Sequence, residues 1–499
     1  MICVVIGRTR HKMMQIEVQE AGKRGAKLIE LRLDFLAKPP DFKRLLADRP
    51  CPLVATVRRQ EDGGRWGGTE QERRVLLRQA VVAGFDWVDI ETDAAEDIRR
   101  FKDVKRIVSY HNLHETPADL EAIYERMCGQ DADVIKLAVN AEKPGDALRV
   151  LKLLEKAPKP TAAHCMGDLG FPSRILGKKY NVPFTYAAFN KERGVAPGMP
   201  SFDELTSIYH YEQIDPFTKI FGVIGDPVAH SLSPVIHNAA FRRLGLNAVY
   251  VPFRVPRGQL ASFLKDYARL PVSGYSVTIP HKEAALAAAA DKEQAATEIE
   301  AANTLIAGDV GFKACNTDAQ AIHDSIIAHL PVTRERLIKL SNWTALILGA
   351  GGVARAVAHV LQKEGTRIFV ASRTQENAQR IATRFNGRAV PWEGRHTVDC
   401  QLLVNCTPVG MHPNVDDSPV HHSFLKPGLM VFDTVYTPEN TLLIKEARTR
   451  NCHVVTGVDM FVRQAALQFR LFTGQNAPLE LMREEVRRAL SPLNWRGET

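Results

Sequence analysis

The first 210 residues alternate short apolar runs with amphipathic stretches. The runs "ICVVIG" (2–7), "LIELRLD" (28–34), "PLVATVR" (52–58), "WVDIET" (87–92), "RIVSYH" (106–111), "VIKLAV" (134–139), "TAAHCMG" (161–167) and "FTYAAF" (184–189) are short and lie between turn residues, so they predict strands. Between them, "QERRVLLRQAVVAG" (71–84), "PADLEAIYERMCG" (117–129) and "PGDALRVLKLLEKA" (144–157) have helical period, and a last helix is expected at "SFDELTSIYH" (201–210). Strict alternation of this kind means βαβ units and a parallel sheet. Eight units in roughly 210 residues predict a closed (β/α)8 barrel.

"YEQIDPFTK" (211–219) reads as a linker, after which the pattern restarts. "FGVIGDPVAHSLSPVIHNAAF" (221–241) runs strand, turn, helix, with Ser233 as an expected N-cap and Pro234 at the first helical position. Ser231 and Ser233 then sit where backbone N–H groups converge, a place suited to a carboxylate. Further on, the strand "TALIL" (344–348) breaks into glycines, and Gly349, Gly351 and Ala354 form GxGxxA at the start of a helix. This is the setting a dinucleotide fingerprint requires. The fold class is therefore α/β throughout. Three units are expected: a barrel at 1–212, an α/β substrate domain at 219–330 completed by 459–499, and a Rossmann domain at 335–458.

Composition narrows the function classes. A chain of 499 residues, 45% of them hydrophobic, is too long for one core and too apolar for disorder. The net charge of +8 is spread through mixed-sign segments, which suits small anionic ligands and excludes nucleic acid as the expected partner. Eight cysteines without CxxC or Cys/His ligand spacing indicate neither a disulfide framework nor a metal site, and a reducing cytoplasmic location follows as the expectation. No membrane-spanning run and no signal-peptide pattern is expected to direct the chain elsewhere.

In a barrel the chemistry sits at the C-terminal ends of the strands. Glu30, Arg32, Asp34, Arg58, Glu91 and His111 fall there. Lys136 interrupts "VIKLAV", where a side chain pointing inward must be desolvated or paired; such a lysine can lose its proton and attack a ketone as the free amine. These residues match motifs: "ELRLD", an acid after "VDI", "HNLHETP" (111–117) and a lysine in "KLA". Residues 2–210 resemble the type I 3-dehydroquinate dehydratases. That resemblance implies an imine on Lys136, proton transfer by His111, orientation of His111 by Glu91, and substrate binding by Glu30, Arg32, Arg58 and Arg174 of "PSRILG". The loop "GVAPGMP" departs from the family, with Val195 and Met199 where serine and glutamine are usual. Two other readings of the barrel stand beside this one: a Schiff-base aldolase of another pathway, which shares Lys136 but does not need His111 paired with Glu91, and a binding or scaffold module without activity, suggested by Val195 and Met199 and opposed by Lys136, His111 and Glu91.

In the back half, Lys282 follows "SVTIPH" and Asp318 ends "NTD". Held together, they can position a hydroxyl and supply a proton during hydride transfer. The strand "RIFVASRT" (367–374) ends in Ser372, Arg373 and Thr374, and an arginine there suits the 2′-phosphate of NADP. Residues 221–475 resemble shikimate dehydrogenase in "SLSP", "SVTIPHK", "AANT", "NTD", "GAGGVARA", "SRT", "NCTPVGM", "DTVYTPENTLL" and "GVDMFVRQA", taken in order. The resemblance implies Lys282 and Asp318 as the catalytic pair and Ser231, Ser233, Thr278, Asn303, Tyr436 and Gln464 at the substrate. It implies Gly349, Ala350, Gly351, Gly352, Val353, Ala354, Ser372, Arg373, Thr374, Thr407 and Gly457 at NADP. "SVT" stands where "NVT" is usual, leaving Ser276 at the asparagine position. The whole resembles the bifunctional enzymes of the shikimate pathway, whose ligands are 3-dehydroquinate, 3-dehydroshikimate and shikimate.

Overall fold

A computed structural model of the chain describes residues 1–330 and 339–491. The expected start of the third unit at 335 and the stretch 492–499 lie outside the described residues.

Eight parallel strands form the first sheet: β1 (Ile2–Ile6), β2 (Leu28–Arg32), β3 (Leu53–Thr56), β4 (Trp87–Glu91), β5 (Lys105–Asn112), β6 (Val134–Asn140), β7 (Thr161–Met166) and β8 (Thr185–Ala188). Each pairs with its neighbour in sequence, and β8 pairs with β1, leaving β7 and β8 at the two ends of the ladder. The loop after β8 spans that seam: the Gly167 N–H donates to the Pro197 carbonyl at 3.1 Å. Gly198 has φ +65°, and a Cβ there would stand 2.8 Å from the Gly167 carbonyl oxygen, so this crossing requires glycine.

Helices surround the barrel. Glu70–Ala83 begins at a capping box between Thr69 and Glu72, and Leu120–Cys128 and Pro144–Glu155 follow the expected positions. The expected helix at 201–210 is instead a π-helical turn at Glu204–Ile208, where the Thr206 hydroxyl donates to the Phe202 carbonyl at 2.8 Å. The stretch read as a linker is a pinned strap. Tyr211 is fully buried, and the Lys179 ammonium donates to the carbonyls of Pro216 and Thr218 at 2.7 and 2.6 Å.

The second sheet runs β10-β9-β11-β13-β14-β12, built from β9 (Lys219–Gly225), β10 (Ala248–Arg254), β11 (Val272–Val277), β12 (Asp291–Lys292), β13 (Thr304–Gly308) and β14 (Gly311–Cys315). Its first three strands are parallel, and β13 is antiparallel to both β11 and β14. The third sheet is parallel in the order β17-β16-β15-β18-β19-β20, made of β15 (Thr344–Leu348), β16 (Arg367–Ala371), β17 (Arg388–Val390), β18 (Leu402–Asn405), β19 (Met430–Asp433) and β20 (His453–Val455). That 3-2-1-4-5-6 order is the doubly wound dinucleotide fold, with its crevice at the carboxyl ends of β15 and β18. Helix Gly457–Thr473 returns to the second sheet, where Phe461, Val462 and Phe469 share a core with Phe221, Phe241 and Tyr250. Among the described residues, no helix is long and apolar enough to cross a membrane.

Candidate functional sites

The barrel encloses a cavity of about 230 Å³ at the carboxyl ends of its strands, room for one small molecule. Lys136 points inward from β6 and is 5% exposed. Its Nζ lies 2.7 Å from Asp89 Oδ2, 3.6 Å from Glu30 Oε2 and 4.1 Å from the centre of the Tyr186 ring. Buried among opposite charges, the ammonium is compensated by Asp89 and Glu30.

Asp89 also lies 2.7 Å from Arg58 Nη2 and accepts from the Ser109 hydroxyl at 2.6 Å. Although burial alone would raise its pKa, Arg58 and Lys136 hold the carboxyl well below the usual range. Glu91 does something other than expected. Its carboxylate is gripped by Arg58 at 2.6 Å and by Arg73, and the acid that acts on His111 electrostatically is Asp89. Alternate strand residues share a face, so Asp89 and Glu91 both point inward from β4; Arg73, on the helix outside, draws Glu91 toward itself. The motif pointed to the acid at the strand end and passed over the one before it.

His111 is held well below the ordinary histidine range, first by burial and then by Arg58 and Lys136, so its imidazole is neutral. Its Nδ1 is buried without a hydrogen-bond partner. Arg174 is 1% exposed, none of its guanidinium nitrogens has a hydrogen-bond partner among the described residues, and it lines the cavity. Burial pulls its pKa down to about 10, which leaves it charged at neutral pH. An unpaired buried cation of this kind calls for an anion. Arg32 is held by Asp34 through two hydrogen bonds, at 2.9 and 2.8 Å. Val195 and Met199 line the wall, as does Asp62, held by Arg59 at 2.7 Å. Asp62 and His164 on β7 were both missed. The signal for Asp62 was a carboxylate between Arg58 and the paired Gly63 and Gly64 in the loop leaving β3.

The second site lies between the other two sheets. Lys282 opens helix Lys282–Ala288, and its Nζ donates to Asp318 Oδ2 at 2.6 Å. Asp318 lies in the first turn of helix Thr317–Ala328, capped by the Asn316 side chain. The Asn303 amide donates to Asp318 Oδ1 and Thr317 Oγ1, both at 2.9 Å, and reaches Gln464 Oε1 at 3.4 Å. Tyr436 stacks on Phe461, whose carbonyl accepts from the Gln464 amide. Ser231 stands on the turn that follows β9, Ser233 opens the helix Ser233–Arg243 beyond it, and Thr278 stands on the turn that follows β11. Ser233 is not the N-cap: it is the first helical residue, and the Ser231 hydroxyl oxygen accepts its N–H at 3.3 Å. Proline at the second helical position moves the boundary by one residue. Ser276 turns away from the asparagine role, donating to Gln468 Oε1 at 2.7 Å in the core.

The glycine turn meets this pair. Lys282 Cδ is 3.5 Å from the position a Cβ on Gly352 would take. Gly349 has φ +104°, and its Cβ would stand 2.8 Å from the Cys406 carbonyl oxygen; space around the Cβ position of Gly351 is open. Ala350 and Val353 are partly buried on the same turn, whereas Ala354 is fully buried. Thr407 donates its hydroxyl to Asn405 at 2.6 Å, beside the end of β18. Ser372 Oγ accepts the Thr374 N–H at 3.4 Å, and Arg373 between them is exposed and makes no ion pair among the described residues. Gly457 packs under the backbone of Val435, 2.2 Å from where its Cβ would be.

Residues 2–216 match the type I 3-dehydroquinase family. Residues 223–305 match the shikimate dehydrogenase substrate binding domain, 331–397 the shikimate/quinate 5-dehydrogenase family and 457–487 the shikimate 5'-dehydrogenase C-terminal domain. The chain is 36% identical to the chloroplastic bifunctional 3-dehydroquinate dehydratase/shikimate dehydrogenase of Arabidopsis thaliana, across 96% of this chain and 83% of that protein. It is 32% identical to the shikimate biosynthesis protein AroDE of Chlamydia pneumoniae, over 77% and 78% of the two chains. Among solved structures, shikimate 5-dehydrogenase of Thermus thermophilus with NADP(H) and shikimate matches 55% of this chain and 100% of its own at 37% identity, TM-score 0.50. The chain belongs to the bifunctional 3-dehydroquinate dehydratase/shikimate dehydrogenase family.

Proposed function

We propose that the barrel eliminates water from 3-dehydroquinate through an imine on Lys136, and that the second site reduces 3-dehydroshikimate to shikimate with NADPH. The observation that carries the first reaction is one cavity holding both a buried lysine and, among the described residues, an unpaired buried guanidinium. The two match a substrate with a ketone at one end and a carboxylate at the other.

Once its ammonium proton has passed to solvent in the cavity, Lys136 Nζ attacks the ketone carbon, and water leaves as the iminium forms, taking a proton back from solvent. The iminium acidifies the neighbouring C–H, and neutral His111 takes that proton and passes it to the departing hydroxyl, which leaves as water. A second water hydrolyses the iminium, releasing the enone and the lysine. Arg174 holds the carboxylate, while Glu30, Arg32 and Arg58 face the rest of the ring. Glu91 acts on Arg58 and Arg73.

At the second site, Ser231, Ser233, Thr278, Asn303, Tyr436 and Gln464 hold shikimate. The turn Gly349–Ala354 suits a pyrophosphate at a helix N-terminus, because the missing side chain at Gly351 leaves open space there. Ser372, unpaired Arg373 and Thr374 suit the 2′-phosphate, and Thr407 and Gly457 border the same crevice. When bound, NADPH supplies the hydride. Lys282 gives a proton to the carbonyl oxygen, and Asp318 fixes the ammonium beside it. The eight unpaired cysteines support a reducing compartment such as the cytosol.

Borohydride added during turnover of 3-dehydroquinate is expected to fix ligand mass on the peptide bearing Lys136. Label on other lysines, or none, overturns the imine. Lys136→Met is expected to abolish dehydration and leave the dehydrogenase near its parent rate.

A further inference from the structure

A second histidine stands in the wall of the lysine cavity. On β6, Ala138 pairs in register with His111 of β5 on one side and with His164 of β7 on the other. All three residues line the cavity, so two imidazoles face it from one layer of the barrel, a step above Lys136. Neighbouring strands lie ~4.8 Å apart, which places the two backbones roughly 10 Å from each other with only an alanine between. That gap is the width of a small ring.

The surroundings of the two histidines differ. Lys136 acts on both rings, but His111 also feels Arg58, Asp89 and Arg32, whereas the other charge acting on His164 is Arg174. His164 is 7% exposed and makes no hydrogen bond among the described residues; its one close ring neighbour is Tyr186, at 6.2 Å between centroids. An imidazole in the cavity wall without a protein partner is free to take one from a ligand. The loop across from it cannot supply one, because Val195, Ala196, Pro197 and Met199 offer apolar side chains.

We propose that His164 is a substrate-binding residue of the dehydratase site, donating a ring N–H to the carboxylate that Arg174 holds. It supplies from β7 the polar contact that Met199 does not make from the loop. Burial, together with Arg174 and Lys136, keeps the ring neutral, so it has one N–H to donate. Arg174 alone would hold the carboxylate through one plane of contacts; a second donor from the next strand face adds a contact that is equally strong before and during reaction. The assignment rests on the dehydratase reading above.

Steady-state dehydration of 3-dehydroquinate by the parent chain, His164→Leu and His164→Gln tests it. Losing one neutral hydrogen bond is expected to raise KM about three- to tenfold in His164→Leu, with kcat within twofold. His164→Gln, which keeps a donor, is expected to stay within about twofold of the parent, and Met199→Gln added to His164→Leu to recover most of the loss. Dehydrogenase activity of the same chains reports folding. Equal KM in parent and His164→Leu, or equal impairment in the leucine and glutamine variants, means a packing role and overturns the proposal. Should the leucine variant not fold, ring nitrogen resonances of His164 in the parent are expected to move on adding 3-dehydroshikimate, and an unmoved signal overturns it equally. A parent chain without dehydration overturns the dehydratase reading, and this one with it.

Discussion

His237 lies 0% exposed in the core beneath the second site, stacked on Tyr250 with centroids 4.4 Å apart. Burial pushes its pKa down to about 3, while in the unfolded chain an imidazole titrates near 6.5. The unfolded state therefore binds a proton between those values that the folded state refuses. The stability the neutral ring contributes is fully present above pH ~6.5 and is lost as pH falls, by up to ~1.4 kcal/mol per pH unit. His111 and His164, also lowered by burial, add to the slope in the same direction. His237→Phe preserves the stack and removes one proton from the linkage, so its loss of Tm between pH 7 and pH 5 is expected to be smaller than the parent's. Parallel Tm curves would mean that His237 already carries its proton. Arg373 makes the opposite case, a charge left exposed and without an ion pair among the described residues, just after β16. Arg373→Asp is expected to weaken NADP binding by roughly tenfold to a hundredfold and NAD little, since a charge-assisted hydrogen bond is worth ~1.5–3 kcal/mol. Titration of both cofactors decides it: equal losses would mean that Arg373 does not read the 2′-phosphate.

Elements were legible wherever one pattern dominated. The eight barrel strands fall within two residues of their apolar runs, because a parallel strand buried on both faces must be apolar throughout. The glycine fingerprint was legible for a local reason, since a positive φ at Gly349 and a close approach to Cys406 admit no other residue. Failures occurred where neighbours outside the segment decided the outcome. The helical period of 201–210 is real, yet a π turn forms there, stabilised by the Thr206 hydroxyl. Whether Glu91 or Asp89 faces the lysine depends on Arg73, a residue 16 positions from Val57, whose carbonyl it also binds. His164 had no motif around it, and only strand register brings it level with His111. Side-chain direction within a strand is readable from sequence; the identity of its partner across the barrel is not.

At the scale of the whole molecule, the barrel and the second sheet share one apolar core. It runs from barrel residues such as Leu151 and Leu154 to Phe253, Phe263 and Tyr267. Tyr267 marks the junction: its side chain is buried, it stacks on Phe263 at 4.4 Å, and its hydroxyl donates to the Pro144 carbonyl of the barrel at 2.8 Å. The pinned strap at 211–218 is tied to the barrel by the Lys179 ammonium, which donates to its carbonyls. A core continuous across two units couples their unfolding, because neither can open without exposing apolar surface of the other. Tyr267→Ala removes a buried aromatic that does not line the barrel cavity, at a cost of about 3–5 kcal/mol. If the coupling holds, both activities of this variant are lost at the same lowered temperature, although Tyr267 belongs to the second unit in sequence. Thermal inactivation followed by two assays on one sample discriminates. A fall in dehydrogenase alone, with dehydratase inactivating at the parent temperature, would show that the barrel stands by itself and that the seam is only a contact.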